Sequence, residues 1–356
     1  MVGMRRFILL TMAGALALLP HARPALAQID RAADRVTEIA NYQGADREQR
    51  LIDGAKREKE LTFYSSIPTE DISVLAAAFD KKYGVKVKVW RADSEGFLQR
   101  ILSEARARRF EVDVMAGSSS ALEPLYRESL LQEVKSPYLA DIIPRAIAPH
   151  RQWVSVYLST FVQAYNTNLV RKESLPRTFQ DLVRPEWKGK LGIEAEDFDW
   201  FAQVLMDMGE AQGLRVFREI VALNGISVRK GHNLLTNLIA AGEVPLALTD
   251  YGFLAEQAKR KGAPLDWFVI PPPIARPTAE GLARNAPHPY AAMLFYDFLI
   301  SDAQPILASR AFVPASAKIE TSIDRSQLKL IDSAAMLDQA KKWQELYQRT
   351  IIGPSR

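Results

Sequence analysis

The chain has 356 residues, 48% hydrophobic and 25% charged, which is typical of a soluble globular protein with two lobes or domains. It contains no cysteine, which excludes disulfides, iron–sulfur clusters, thiolate zinc sites and a cysteine nucleophile. The formal net charge is +4, so composition gives little support to nucleic-acid binding.

The first 27 residues have the pattern of a cleavable export signal. Arg5 and Arg6 precede the apolar run 7–19, and Ala25-Leu26-Ala27 matches the small-x-small cleavage pattern. This run would rise about 20 Å as a helix, short of the roughly 30 Å of a hydrocarbon core. Cleavage would remove these two arginines, Arg23 and no acid, leaving 43 Lys and Arg against 42 Asp and Glu. We therefore predict a nearly neutral, periplasmic protein without a membrane anchor or a nucleic-acid partner.

After a polar helical segment over residues 28–57, the chain alternates strands with helices. The predicted strands are Leu61–Tyr64, Val85–Trp90 and Glu111–Met115, and helices are predicted around residues 74–79, 93–108 and 122–126. The strand Val85–Trp90 alternates apolar with lysine and is predicted to be half-buried. Alternation of strands with helices favours a parallel sheet with helices on both faces.

A second series of elements begins after Pro149. Its predicted strands are Trp153–Tyr157, Phe161–Tyr165, Leu191–Glu194, Val244–Leu248 and Leu265–Ile270, and its helices cover 200–208, 214–223, 251–261, 287–300, 302–308 and 333–347. No flexible linker separates the two series, so we predict two α/β lobes joined by strands. The predicted division is a signal peptide over 1–27, a helical segment over 28–57, a first lobe over 58–158 plus 270–315, and a second lobe over 159–269 plus 316–356.

Residues with catalytic chemistry are scarce after the export signal. His150, His232 and His288 lack a second histidine at metal-ligand spacing, so each is interpreted as structural. No nucleophile-elbow, phosphate-loop or dinucleotide-binding motif is present. We expect a binding protein; a periplasmic enzyme on the same fold is the alternative.

Polar turns follow several predicted strands in both series. They are Ser65-Ser66, Ser118-Ser119-Ser120, Glu194–Asp199 and Thr249-Asp250-Tyr251. Ligands of open α/β sheets bind outside the carboxyl ends of strands, where helix N-termini favour anions. Helix capping explains any single turn as well, but their recurrence in both lobes indicates a shared cleft.

Three segments carry a resemblance to a known family. They are Ala164–Thr167, Arg184–Lys190, and Ala286–Pro289 followed by Phe298–Ser301 with Gln304. Over residues 60–318 the chain resembles the extracellular solute-binding proteins of ABC importers, more narrowly their ferric-iron-binding branch. The resemblance implies a type II periplasmic-binding fold with two crossover strands, ligand capture by hinge closure, and a membrane permease and an ATPase as partners. We expect a monomer without a cofactor of its own.

The resemblance implies only part of a ferric site. Relatives in that branch use two adjacent tyrosines, a histidine and an acidic residue. Here Asp250-Tyr251-Gly252-Phe253 stands at the tyrosine pair, Ser65-Ser66 at the histidine and Gly117–Ser119 at the acid. Only Tyr251 carries over, so metal ligation by Tyr251 and Asp197 is expected only if the transported ligand is Fe(III).

An acidic cluster follows the strand Leu191–Glu194; its members are Glu194, Glu196, Asp197 and Asp199. Carboxylates with a phenolate suit hard Fe(III), whereas acids at a helix N-terminus are also favoured by the helix dipole alone. Both explanations stay open.

Arg91 and Arg229-Lys230 are candidates for pairing with a phosphate or carboxylate, with surface solvation as the alternative. Three ligand classes therefore remain: ferric iron, bare or chelated; a small organic or phosphorylated anion; and a polyamine-like cation. The predicted ligand-binding residues are Ser65, Ser66, Arg91, Ser118, Ser119, Glu194, Asp197, Asp199 and Tyr251.

Overall fold

The computed structural model describes residues 22–321 and 323–353, with side chains from residue 31 onward. Residues 1–21 of the predicted export signal lie outside this described part. Within it, no helix combines the length and apolar character that crossing a bilayer requires.

Helices and strands alternate through most of the described chain. The helices are α1 Ala22–Asn41, α2 Arg47–Glu58, α3 Thr69–Tyr83, α4 Ser94–Arg106, α5 Ser119–Arg127, α6 Phe198–Met208, α7 Glu210–Asn224, α8 His232–Ala241, α9 Gly252–Arg260, α10 Pro289–Leu299, α11 Ala303–Ser309, α12 Ser333–Asp338 and α13 Ala340–Tyr347. The strands are β1 Glu60–Ser65, β2 Lys86–Arg91, β3 Val114–Ser118, β4 Leu131–Gln132, β5 Val154–Asn166, β6 Leu191–Glu194, β7 Ser227–Arg229, β8 Leu246–Tyr251, β9 Leu265–Phe268, β10 Ile274–Ala283, β11 Val313–Pro314 and β12 Lys329–Leu330. A π-helical turn, Gln348–Ile352, follows α13.

The strands form one connected arrangement in the order β2-β1-β3-β10-β5-β8-β6-β7. Strands β1, β2 and β3 are mutually parallel, as are β6, β7 and β8. Strands β5 and β10 run antiparallel to each other in the middle. Two parallel sets are therefore joined through a central antiparallel pair.

Both central strands contribute to two separate hydrophobic cores. In β5, residues 154–157 pack in one core and Phe161 and Tyr165 in the other. In β10, Ile274 packs in the second core and residues 279–283 in the first. We call the elements α1–α5, β1–β4, α10 and α11 the first lobe, and β6–β9, α6–α9, α12 and α13 the second lobe. This arrangement agrees with two lobes joined by two crossover strands.

The predicted N-terminal helical segment packs on the first lobe. Helix α2 lies against α10, where the ring of Tyr290 would be 2.1 Å from a Cβ on Gly54, so only glycine fits there. The buried guanidinium of Arg47 donates to both carboxylate oxygens of Asp297 at 2.5 and 3.2 Å. Helices α1 and α2 are therefore an integral part of this lobe.

Some predicted elements differ from the observed ones. The strands predicted at Trp153–Tyr157 and Phe161–Tyr165 are one strand, β5, because its pairing to β10 continues as far as Thr160 and pairing to β8 begins at Phe161. Strand β2 lies at the sheet edge and is mostly exposed rather than half-buried. The segment predicted as 333–347 is two helices, interrupted at Gln339.

Candidate functional site

The carboxyl ends of the parallel strands from both lobes face one cavity of about 780 Å³. A helix begins within four residues of the end of several of these strands, so several helix N-termini surround the cavity. The polar side chains that line it are Ser66, Arg91, Asp93, Ser94, Glu95, Ser118, Ser120, Tyr157, Ser159, Glu194, Glu196, Asp199, Lys230, His232, Asn233, Tyr251, Arg276, Thr278, Ser333, Gln344, Tyr347 and Gln348.

The first-lobe wall consists mainly of hydroxyl groups at the starts of α4 and α5. Ser94 Oγ bonds Ser66 Oγ at 3.1 Å and accepts the Ser118 N–H at 3.1 Å. Ser118 precedes α5 but its side chain makes no capping bond. The first N–H groups of α5, beside Ser120, therefore have no helical partner and are suited to an anionic group.

Arg91 adds a positive charge to this wall at the end of β2. Its Nε and Nη2 atoms lie 3.4 Å from the carbonyl oxygens of Ile67 and Ser66, at the outer limit for hydrogen bonds. Within the described ranges, no carboxylate lies within 4.0 Å of this guanidinium. Its charge is therefore available to a ligand.

The second-lobe wall is organised around Arg276, which β10 carries into the cavity. Its Nε donates to Asp199 Oδ2 at 2.7 Å and its Nη2 to Asp197 Oδ1 at 3.0 Å. Its Nη1 donates to the Tyr251 hydroxyl, and its guanidinium carbon lies 4.9 Å from the ring centre of Phe161. Burial opposes the charge, but Asp199, Tyr251 and Asp197 together raise the pKa of Arg276 well above its usual value.

Of the remaining acids of the cluster, Glu196 pairs with Lys230 and Glu194 binds backbone groups. Glu194 accepts the Gly231 N–H at 2.8 Å and the Glu196 N–H at 2.5 Å. Its carbonyl oxygen accepts the hydroxyl of Tyr347. Across the cleft, Ser120 Oγ of the first lobe lies 3.3 Å from Asp199 Oδ2. These carboxylates already have partners before any ligand enters.

His232 lies beside Asp197, with 3.3 Å between Nε2 and Oδ1. Its ring centre is 3.8 Å from that of Tyr251. Burial disfavours the charged ring, but Asp197 and Glu194 raise the pKa of His232 above its usual value. Burial likewise opposes ionisation of Asp197, whereas His232 and Arg276 hold the pKa of Asp197 at about 2. Asp197 is therefore ionised, and its negative charge favours the protonated form of His232.

Burial disfavours the charged form of two further groups. Burial raises the pKa of Asp250 to about 7, although Thr236 donates to its carboxylate at 2.9 Å. Burial also raises the pKa of Tyr251 well above its usual value. Tyr251 is therefore a neutral phenol in this arrangement, and its oxygen accepts from Arg276.

The structure brings six predicted site residues together on the cavity wall: Ser66, Arg91, Ser118, Glu194, Asp199 and Tyr251. Asp197 lies directly behind them against Arg276. Ser65 and Ser119 do not line the cavity. Successive side chains of a strand alternate between its two faces. Ser65 Oγ donates instead to the Ala116 carbonyl at 2.9 Å. Ser119 Oγ accepts from Ser333 at 2.5 Å.

Sequence reasoning missed Arg276 and assigned His232 a structural role. The signal for Arg276 was a single arginine inside Ile274–Ala283, a strand that is buried along its whole length. A buried arginine in such a run needs partners, and the acidic cluster supplies them. Lys230, by contrast, is largely exposed and pairs with Glu196 at 2.8 Å, as expected for a surface charge.

One group of side chains has a metal-binding composition. Potential ligand atoms of Glu194, Asp197 and His232 all lie within 4.8 Å of one another. The expected iron ligands Tyr251 and Asp197 are instead joined through the guanidinium of Arg276. A metal held by both would have to displace this guanidinium.

The chain belongs to the bacterial extracellular solute-binding protein family, whose model matches residues 112–338. It is similar to "Iron uptake protein A1" of Synechocystis sp., with 23% identity over 279 residues that cover 74% of this chain and 77% of that protein. This family membership agrees with the resemblance inferred from sequence motifs.

Two solved structures match most of the chain. Iron-bound HitA from Pseudomonas aeruginosa has a TM-score of 0.71 and 21% identity, covering 82% of this chain and 99% of that one. The periplasmic binding protein AfuA from Actinobacillus pleuropneumoniae, with exogenous fructose-6-phosphate bound, has a TM-score of 0.72 and 22% identity, covering 82% and 98%. The fold is therefore the predicted type II periplasmic-binding fold.

Proposed function

We propose that this protein is the solute-binding component of an ABC importer. It captures a small organic or phosphorylated anion between its lobes in the periplasm and delivers it to a membrane permease driven by an ATPase. We propose a monomer that binds without catalysis and is exported by a signal peptide cleaved after residue 27. The lobe boundaries 58–158 plus 270–315 and 159–269 plus 316–356 belong to the same proposal.

The observation that carries this proposal is the cavity between the lobes, closed by contacts across the cleft. Lys261, which directly follows α9, pairs with Glu70 of α3 at 2.7 Å, and Gln257 Nε2 donates to the Arg310 carbonyl at 2.8 Å. A cavity of about 780 Å³ has the size of small-molecule sites in proteins. It is large for a single ion, which supports an organic ligand.

The charge distribution favours an anionic group on the first-lobe wall. The guanidinium of Arg91, which pairs with no carboxylate of the described residues, attracts negative charge, as do the hydroxyls of Ser66 and Ser118 and the N-terminus of α5. Asp93 and Glu95 line the same wall, but each accepts a hydrogen bond within α4, from Gly96 and Gln99. The carboxylates of the second-lobe wall are held by Arg276 and backbone N–H groups, so they repel the anion less than their number suggests.

Ferric iron is the second candidate ligand, as in the relatives whose names record iron. The specific support is the Glu194, Asp197 and His232 group, because carboxylates and imidazole bind iron. Chelated iron fits the cavity better than the bare ion, since a chelator would fill the remaining volume and could meet Arg91.

Small-angle X-ray scattering of the purified protein tests capture by closure. The probes are fructose 6-phosphate, citrate and ferric citrate, each with binding measured separately by calorimetry. A ligand that prefers the closed form shifts the population toward it. We expect a smaller radius of gyration with at least one anionic probe; tight binding of a probe without compaction would contradict the proposal.

A further inference from the structure

The C-terminal segment 333–352 forms a third wall of the cavity. Its lining residues, which fall mostly on every fourth position, are Ser333, Met336, Leu337, Ala340, Gln344, Tyr347, Gln348 and Ile352. Side chains four residues apart lie on one side of a helix. One face of the segment therefore lies along the cavity.

The same segment is attached to both lobes. At its start, Ser333 bonds Ser119 at 2.5 Å and Asp338 accepts from Arg127 at 2.6 Å, both on α5 of the first lobe. Further along, Trp343 and Tyr347 are buried in the second-lobe core. The wall is therefore fixed in position on both sides of the cleft, and does not depend on one lobe alone.

Half of the side chains that line this wall are apolar, namely Met336, Leu337, Ala340 and Ile352; the others are Ser333, Gln344, Tyr347 and Gln348. Leu337 and Ala340 are half-buried at the cavity, and Ile352 is 40% exposed. Leu234, at the start of α8, also lines the cavity and is 47% exposed. Large apolar side chains exposed in a binding cavity gain when an apolar group covers them.

Resting on the proposed function, we infer that the ligand is an amphipathic organic anion. Its anionic group lies against Arg91, Ser66 and Ser118, and its apolar part contacts the C-terminal wall. A ligand that places hydroxyl groups on Leu337 or Ile352 rather than on Gln344 or Gln348 would bury them without hydrogen-bond partners, which is unfavourable. These wall residues therefore select the ligand by its apolar part.

Two matched pairs of probes test this inference by isothermal titration calorimetry. Hexyl phosphate and fructose 6-phosphate share a phosphate and six carbons; hexanoate and gluconate share a carboxylate and six carbons. Each buried methylene group contributes about fourfold in affinity. If the wall buries two or more methylene groups of the ligand, the apolar member of at least one pair should bind about tenfold or more tightly than the hydroxylated member. Equal or tighter binding of the hydroxylated members, or no binding by any of the four, would overturn the inference.

Substitutions in the wall locate the contact. Leu337→Asn approximately keeps the side-chain shape, and Ile352→Thr keeps the β-branching; both remove apolar surface. The two positions lie toward opposite ends of the wall. At least one should weaken the apolar probe about fivefold and leave the hydroxylated probe unchanged. Leu223→Asn is the control, because Leu223 is 53% exposed and lies outside the cavity. If neither wall variant changes the ratio of the two affinities, the wall does not contact the ligand.

The proposed function and this inference fail in different ways. If fructose 6-phosphate or ferric citrate compacts the protein while the apolar probes bind no better, the importer function stands and the apolar selectivity is wrong. If no probe of either experiment binds, both are contradicted.

Discussion

The first-lobe and second-lobe walls of the cavity differ in whether their charges are already paired. Among the described residues, Arg91 on the first wall has only two weak side-chain contacts, with carbonyl oxygens at 3.4 Å. On the second wall, Asp197, Asp199 and Tyr251 share the guanidinium of Arg276. The acids of the second wall are thus paired within the chain. On the first wall, Asp93 and Glu95 accept hydrogen bonds from Gly96 and Gln99 of α4, which leaves Arg91 and the serines to recognise a ligand.

This difference follows from burial. Asp197 and Asp199 are almost fully buried, so each needs a partner before any ligand arrives. Arg91 lies at the exposed end of an edge strand, where water can solvate its charge. The comparison predicts that second-wall substitutions change stability, whereas first-wall substitutions change affinity.

The largest expected effect is that of Arg276→Met. Removing the guanidinium leaves Asp197 and Asp199 buried without their common partner, which should cost about 3–5 kcal/mol of unfolding free energy. Urea denaturation measures it. The matched control is Arg91→Met, which should stay within about 0.5 kcal/mol of the wild type. Equal losses in the two variants would abolish the distinction between the walls.

A pH effect should follow from Asp250 on the second-lobe side. Its pKa is about 7 in the folded protein against 3.8 as the ordinary value, because burial disfavours its charge. Between these values the unfolded state ionises while the folded state keeps its proton, so stability is full below about pH 4 and is lost as pH rises to about 7. Asp250→Asn does not titrate.

The free energy of unfolding of the wild type should therefore fall relative to Asp250→Asn by about 2–4 kcal/mol between pH 4 and pH 7. Denaturation at several pH values measures the difference. Asp266→Asn is a control with the opposite expectation, since Lys259 helps to lower the pKa of Asp266 despite its partial burial. A pH-independent difference for Asp250→Asn would show that this carboxyl is ionised in the folded state.

Arg91→Met should weaken ligand binding by about 1.5–3 kcal/mol, the contribution of a hydrogen bond to a charged group. Affinity for the tightest anionic probe, measured by calorimetry, should fall more than tenfold. Lys230→Met is a suitable comparison, because Lys230 lines the same cavity but already pairs with Glu196. An unchanged affinity in Arg91→Met would remove the anionic group from the first-lobe wall.

The smallest effect is expected for Tyr251→Phe, which removes only a hydroxyl bonded to Arg276. For an organic anion, affinity should change by no more than about 0.5–1.5 kcal/mol, roughly two- to thirteenfold. If Tyr251 ligates iron as a phenolate, affinity for ferric citrate should fall much further and any visible charge-transfer colour should disappear. Calorimetry and absorption spectra distinguish the two.

Much of the fold could be predicted from the sequence because strand and helix periodicities are local. The turns after β1, β3, β6 and β8 were found in this way, and they meet at one cavity. The sequence could not show which residue of a turn faces the cavity. Ser65 and Ser66 are adjacent, yet of the two only Ser66 lines the cavity. Partners distant in sequence were also missed, since Arg276 meets Asp199 across 77 positions.

The acidic cluster shows the same limit. A run of carboxylates indicates a nearby cation, and from the sequence we expected a metal ion or a polyamine. In the structure this cation is the guanidinium of Arg276, which belongs to the chain itself. A cluster of acids near a predicted site can therefore be paired with a buried arginine of a crossover strand, so both must be considered before a cationic ligand is inferred.

The most direct test of the account is the identity of the ligand that the protein retains when purified from the periplasm without added metal. Native mass spectrometry, combined with elemental analysis on the same sample, gives both the bound mass and the iron content. We expect a bound organic anion with less than stoichiometric iron, and loss or weakening of this anion's binding in Arg91→Met. Stoichiometric iron with a visible band that Tyr251→Phe abolishes would contradict it.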